Sequence, residues 1–112
     1  MSIYVSNITI EQGFDFESVF QLEDTRTNSF LDLRNSTPSA QMRKSPGSST
    51  VVSFASSIPN PKQGLLSISL GSSITSSLKP GRYVYDVRLE ADNGKYYKAV
   101  EGSVLVRAGV TR

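Results

Sequence analysis

The chain has 112 residues, 38% of them apolar, a formal net charge of +2, 19 serines, and neither cysteine nor histidine. That composition excludes disulfides, thiol nucleophiles, cysteine–histidine zinc sites and any imidazole base, and the charge is too small to imply nucleic-acid binding. The length is one domain's worth, taken here as 1–112, able to bury roughly two-thirds of its unfolded surface around a core that so much serine keeps thin.

In chain order, "MSIYVSNITIEQG" lacks a basic region followed by a long apolar run, so it does not read as a signal peptide. No stretch is long enough to span a membrane. The expectation is a chain made in a cytoplasm and soluble there, with no membrane partner. "SIYVSNITI" reads as an edge strand with a bulge near Ser6-Asn7, where apolar parity passes from Ile3 and Val5 to Ile8 and Ile10. "GFDFESVFQLE" puts Phe14, Phe16, Phe20 and Leu22 on one face and Asp15, Glu17, Gln21 and Glu23 on the other, a half-buried strand. "DTRTNSF" is a polar turn.

A short strand follows around Ala40, Met42 and Lys44, bounded by Pro38 and Pro46-Gly47. "TVVSFAS" and "GLLSISLG" are strands separated by the turn "IPNPKQG", with Leu66, Ile68 and Leu70 facing one way and Ser67 and Ser69 the other. "SSITSSLKPG" is a serine-rich crossing with a helical turn at 74–78. The hairpin "GRYVYDVRLEADNGKYYKAVEGSVLV" then places Tyr83, Tyr85, Val87 and Leu89 inward and Arg82, Asp86, Arg88 and Glu90 outward. Its turn, Asp92-Asn93-Gly94, is made of residues that tolerate positive φ. A tail, 107–112, leaves the last strand, and apolar Val110 points to a docked tail rather than a frayed one. Seven short strands with turn residues between them predict an all-β fold, an antiparallel two-sheet immunoglobulin-like β-sandwich. The corner Leu78, Pro80, Gly81 and Tyr83 supports it, since in such sandwiches a tyrosine at the start of the penultimate strand bonds back across the corner.

Chemistry is hard to place on this pattern. A serine nucleophile needs a base, and none of the five lysines stands in a Ser-x-x-Lys setting on a helix. The carboxylate pairs Asp15/Glu17 and Asp86/Glu90 fall on solvent faces, where nothing would split their pKa values. Glu90, Asp92 and Asn93 match no calcium loop, and no glycine-rich loop precedes a helix. The reading is no catalytic, cofactor-binding or metal site. Binding by surface remains, with Tyr96, Tyr97, Arg107, Val110 and Arg112 as the candidate interface. Residues 1–34 carry six acids against two bases, and the rest ten bases against four acids. Strands expose whatever charge keeps them soluble; the sharper expectation is one acidic and one basic face that pack head to tail, an association that salt would weaken.

Four stretches, "IEQGFDFESVFQL", "LDLRNSTPSAQMRK", "GLLSISL" and "LKPGRYVYDVRLEADNGKYYKAVEGSVLVRAGVTR", together resemble a family of small structural modules of tailed bacteriophages. The chain looks like the immunoglobulin-like domain of phage baseplate upper proteins and like short virion proteins of tailed phages, including those infecting cyanobacteria. The resemblance runs from about Ile8 to Arg112, and its motifs are mostly core and turn residues. It implies a non-enzymatic virion protein present in many copies in a symmetric assembly. Its partners would be other virion proteins of the capsid or of the neck, tail or baseplate, with no nucleic acid. The alternative is a carbohydrate-binding adhesion module in which Tyr96 or Tyr97 stacks on a sugar ring.

Overall fold

The computed structural model describes residues 4–24 and 29–110. Its strands are β1 (Tyr4–Val5), β2 (Ile8–Glu11), β3 (Phe16–Gln21), β4 (Glu23–Asp24), β5 (Ser29–Phe30), β6 (Thr37–Arg43), β7 (Val51–Asn60), β8 (Leu65–Leu70), β9 (Gly81–Glu90) and β10 (Tyr96–Arg107). One helical turn, α1 (Ser72–Thr75), precedes β9, and a 3-10 turn (Pro61–Gln63) links β7 to β8. The three strands beyond the expected seven arise because the first splits into β1 and β2, and because β4 and β5 form a small hairpin of their own.

The fold is all-β, and the main sheet is mixed. Its order is β1-β10-β9-β6-β7-β8-β3, with β2 also on β10. The purely antiparallel expectation is corrected at one end, because β1 and β2 both run parallel to β10. Strands of two and four residues carry too little pattern to reveal the direction of their partner. The expected bulge at Ser6-Asn7 is corrected too. Tyr4 pairs with Val100, Val5 with Glu101 and Ile8 with Val104, so two residues face two and none is inserted. The true register shift lies in β10 between Lys98 and Val100. There Ala99 and Val100 are buried in succession, at 1% and 0% exposure, which a regular strand's alternation forbids.

The sheet curls. Laid flat, β1 and β3 would lie roughly 29 Å apart across six strand spacings. Instead the rings of Tyr4 and Phe20 have centroids 6.0 Å apart, edge to face. The turning point is β7, whose residues 51–54 pair with β6 while 55–60 pair with β8. Phe54 sits at the change-over and packs tilted against Phe16 of β3 (6.1 Å between centroids) and edge to face against Tyr85 of β9 (6.2 Å). The core fills the concave side with Ile10, Phe20, Met42, Leu66, Ile68, Leu70, Tyr83, Tyr85, Val87, Leu89, Val104 and Val106, all buried.

Local departures have plain causes. Phe14 is not a core residue; it is 53% exposed in a turn where Gly13 has φ +88°, and it is its carbonyl that accepts a bond from Thr75 Oγ1 (2.8 Å). Pro38 lies inside β6 rather than before it. Residues 37–39 pair only with β9, so on the β7 side no ladder needs the missing N–H. β7 runs on through Ile58-Pro59-Asn60, which sequence reading gives to a turn, and the chain reverses at Gly64, with φ +68°. A Cβ on Gly64 would meet the Leu22 carbonyl. Lys44 lies beyond the end of β6 and is exposed. Most of the expected 24–30 turn, and Arg112, lie outside the described residues.

Candidate functional site: the outer face of β6, β9 and β10

Alternation places Arg82, Val84, Asp86, Arg88 and Glu90 of β9 on the convex side of the sheet, away from Tyr83, Tyr85, Val87 and Leu89. Register supplies their neighbours. Val84 lies between Arg43 and Ser103, Asp86 between Gln41 and Glu101, and Arg88 between Ser39 and Lys98. Val5 of β1 adds a further exposed apolar group beside Glu101. A shallow depression runs over these residues, from Val5, Val84 and Glu101 towards Arg88, Tyr96 and Tyr97.

Asp86 and Glu101 face each other directly, a like-charge pair that would destabilise the strand pairing. Lys98 relieves it, with Nζ 3.3 Å from Glu101 and 3.8 Å from Asp86. The Arg88 guanidinium lies 4.4 Å from the Tyr96 ring centroid, a cation–π contact. Arg43 is held by donating to the Ser48 carbonyl (2.6 Å). The face is therefore pre-ordered, with signs intermixed, and apolar Val5 (68% exposed) and Val84 (38%) stand between the charges.

The residues singled out from the sequence do not form one patch. Tyr96 and Tyr97 are 57% and 40% exposed at the start of β10. Arg107 ends the same strand, roughly 36 Å away at 3.3 Å per residue. It bonds Glu11 across the parallel pair at 3.2 Å. Val110 is 97% exposed, against the expectation that its apolar side chain docks. What docks is Gly109, which donates to Gln12 Oε1 (3.2 Å) and packs so closely that a Cβ would meet the Gln12 carbonyl.

The corner residues are structural. Tyr83 is buried and its hydroxyl donates to the Lys79 carbonyl at 2.7 Å, beside buried Leu78 and Gly81 with φ +143°. Lys44 Nζ lies 4.3 Å above the Tyr83 ring. In the hairpin turn only Gly94 uses positive φ, at +80°; Asn93 instead accepts the Lys95 N–H on its side chain (3.0 Å). The bond from Gly94 N–H to the Ala91 carbonyl closes a three-residue loop with a glycine bulge.

Among the described residues, three of the six acids of the first third are held by partners. Glu11 pairs with Arg107 and Asp32 with Arg34, and Asp15 accepts the Ser72 N–H at 2.7 Å. Hydrogen bonds from the Arg34 side chain and backbone hold the Asp32 carboxyl below its ordinary value. Burial pushes the Tyr85 hydroxyl above its ordinary value, and that hydroxyl donates to the Ser6 carbonyl at 2.6 Å. Among the described residues no three acidic side chains converge as metal ligands.

Reading parity along β10 alone misses Glu101 as a neighbour of Asp86, because the Ala99 shift reverses the face on which later residues lie. Gln41 and Arg43 were legible from β6, where they alternate with Ala40 and Met42.

Neither a protein-family model nor a curated protein matches the chain. Among solved structures it is similar to a Listeria monocytogenes internalin-like protein (13% identity, TM-score 0.46), covering 96% of this chain and 28% of that one. It is also similar to a family 123 glycoside hydrolase from Clostridium perfringens (18% identity, TM-score 0.46), covering 100% of this chain and 24% of that one. The chain thus spans about a quarter of each, and likeness at that level carries no argument about activity.

Proposed function

We propose that the chain is a non-enzymatic structural protein of a tailed-phage virion, an immunoglobulin-like β-sandwich module that binds other virion proteins in many copies. The sandwich reading pairs β3, β8 and the second half of β7 as one layer against β6, β9 and β10 as the other. The Phe16–Phe54–Tyr85 ring chain between them and the Tyr83 corner support it. The observation that carries the function is the pre-ordered convex face of β6, β9 and β10. Exposed Val5, Val84 and Tyr96 stand among neutralised charges and the arginines Arg43, Arg82 and Arg88, the composition of a protein-binding patch. The near full-length likeness to phage modules points the same way, and leaves capsid decoration and neck, tail or baseplate attachment as the two placements.

Immunogold labelling of intact particles with antibody to this protein tests the reading. Gold over the head places it as a decoration or cement protein, and gold at the neck, tail or baseplate as a connector. Unlabelled particles from cells rich in the protein overturn the proposal. The carbohydrate-binding alternative draws on the exposure of Tyr96, but Arg88 already covers one face of that ring. Selective binding on a glycan array, lost in Tyr96→Ala or Tyr97→Ala, would favour it instead.

A further inference from the structure

We infer that the free edge of β3 is a docking edge for β3 of a second copy, paired antiparallel about Val19. The inference concerns a different surface from the convex face and stands whether or not the protein belongs to a virion. β3 pairs with β8 over all six residues, Phe16 to Gln21, without a register shift. Among the described residues no strand pairs with its other edge. Native edges are usually blunted by proline, lysine, a bulge or extreme shortness. "FESVFQ" has none of these, and its one charge is Glu17.

The occupant follows from the sequence of the edge itself. An extended backbone is what an open edge binds, and an isologous contact needs a strand complementary to its own reverse. Centring the pair on Val19 sets Val19 against Val19, Glu17 against Gln21 and Ser18 against Phe20. No like charges meet, and a carboxylate finds an amide donor opposite it. Centring on Glu17 would oppose the two carboxylates. Val19 is 52% exposed on the outer side between Glu17 and Gln21, and across the sheet from it lie small groups, Ser67 on β8 and Ser57 on β7 in its own row and Ser69 and Ala55 in the row of Glu17. Pairing would fuse two such serine-lined faces into one continuous surface and cover the isolated valine with its symmetry mate.

A single strand pair buries less than the ~1,200 Å² of a standard interface, so the dimer is expected to be weak, dissociating at micromolar or higher concentration. The test uses the full chain, which has no cysteine of its own. Directly opposed residues hold their Cβ atoms about 4.5–5.5 Å apart, near the range a disulfide spans. Val19→Cys should form a disulfide-linked dimer under mild oxidation at least roughly tenfold faster than Ser57→Cys, an exposed position on the same side but two strands inward. Sedimentation up to ~1 mM should show a wild-type dimer that Val19→Lys abolishes, with circular dichroism unchanged because that side chain points outward. A wild-type monomer throughout, equal cross-linking rates, or a dimer that survives Val19→Lys would each overturn the inference.

Discussion

The two ends of the sheet are fastened by different means. At the β10 end the added strands are short, and polar locks hold them. Tyr85 donates to the Ser6 carbonyl, Ser6 N–H bonds Glu101, Asn7 Oδ1 accepts from Ser103 N–H, and Gln12 N–H bonds Arg107. At the β3 end a full ladder to β8 and buried aromatic rings carry most of the attachment, helped by polar clasps in which buried Thr75 bonds both Gly13 and Phe14 and Asp15 accepts the Ser72 N–H. Four residues bury too little apolar surface to anchor a strand, so there the hydrogen bonds must be specific; a six-residue strand carrying Phe16 and Phe20 can rely on burial. Both ends leave an outer edge without a strand partner among the described residues, but that of β3 is the longer, six residues against two in β1 and four in β2.

Breaking the β3 end should cost most. Phe20→Ala removes a ring that is only 4% exposed and the Tyr4 contact, and should lower stability by about 3–5 kcal/mol in chemical denaturation. At the β10 end, a Cβ on Gly102 would run into the Ser6 carbonyl. Gly102→Val should therefore cost about 2–3 kcal/mol and show as faster amide exchange at Ser6, detaching β1 while the β3–β8 amides stay protected.

Tyr85→Phe tests a single lock and should cost about 1 kcal/mol at neutral pH. It also has a pH signature. The folded Tyr85 hydroxyl keeps its proton above pH 10, where the unfolded one begins to lose it. That stabilisation is complete below pH 10 and is lost as pH rises through the higher folded value. The wild type should therefore lose more stability than Tyr85→Phe on going from pH 9 to strongly alkaline solution; parallel pH profiles would show that burial of this hydroxyl is unimportant. Smallest is Arg107→Ala, which breaks an exposed pair with Glu11 and should cost less than about 1 kcal/mol, vanishing at high salt.

Much of the fold was legible because alternation is strong where strands are long. The inward sets on β8 and β9 lie where their parity puts them, and the Pro-Gly corner, the Tyr83 bond and the hairpin turn were readable from local residue types. The parallel pairing of β1 and β2 was not, since it is decided by contacts such as those of Asn7 with Ser103 and of Tyr85 with Ser6, 96 and 79 residues apart. Nor was the passage of β7 through Pro59, because a proline is tolerated where a ladder is irregular, as it is between Ser57 and Asn60. The candidate interface was half legible. Tyr96 and Tyr97 are exposed as read, but Arg107 and Val110 lie at the far end of β10, and linear order cannot show that distance until strand length is known.

The parallel attachment of β1 and β2 to β10 also decides how the protein carries load. Tension applied between Tyr4 and Arg107 draws the two partners past each other along their length. The rungs from Tyr4–Val100 to Glu11–Arg107 then share the pull in shear, where a hairpin pulled at its open end would yield one rung at a time. Single-molecule stretching through those two residues should rupture the fold at higher force than stretching through Phe16 and Leu70, which begins at one end of the β3–β8 ladder. Whatever chain continues beyond either end, the strands that join it to the domain form a mechanical clamp.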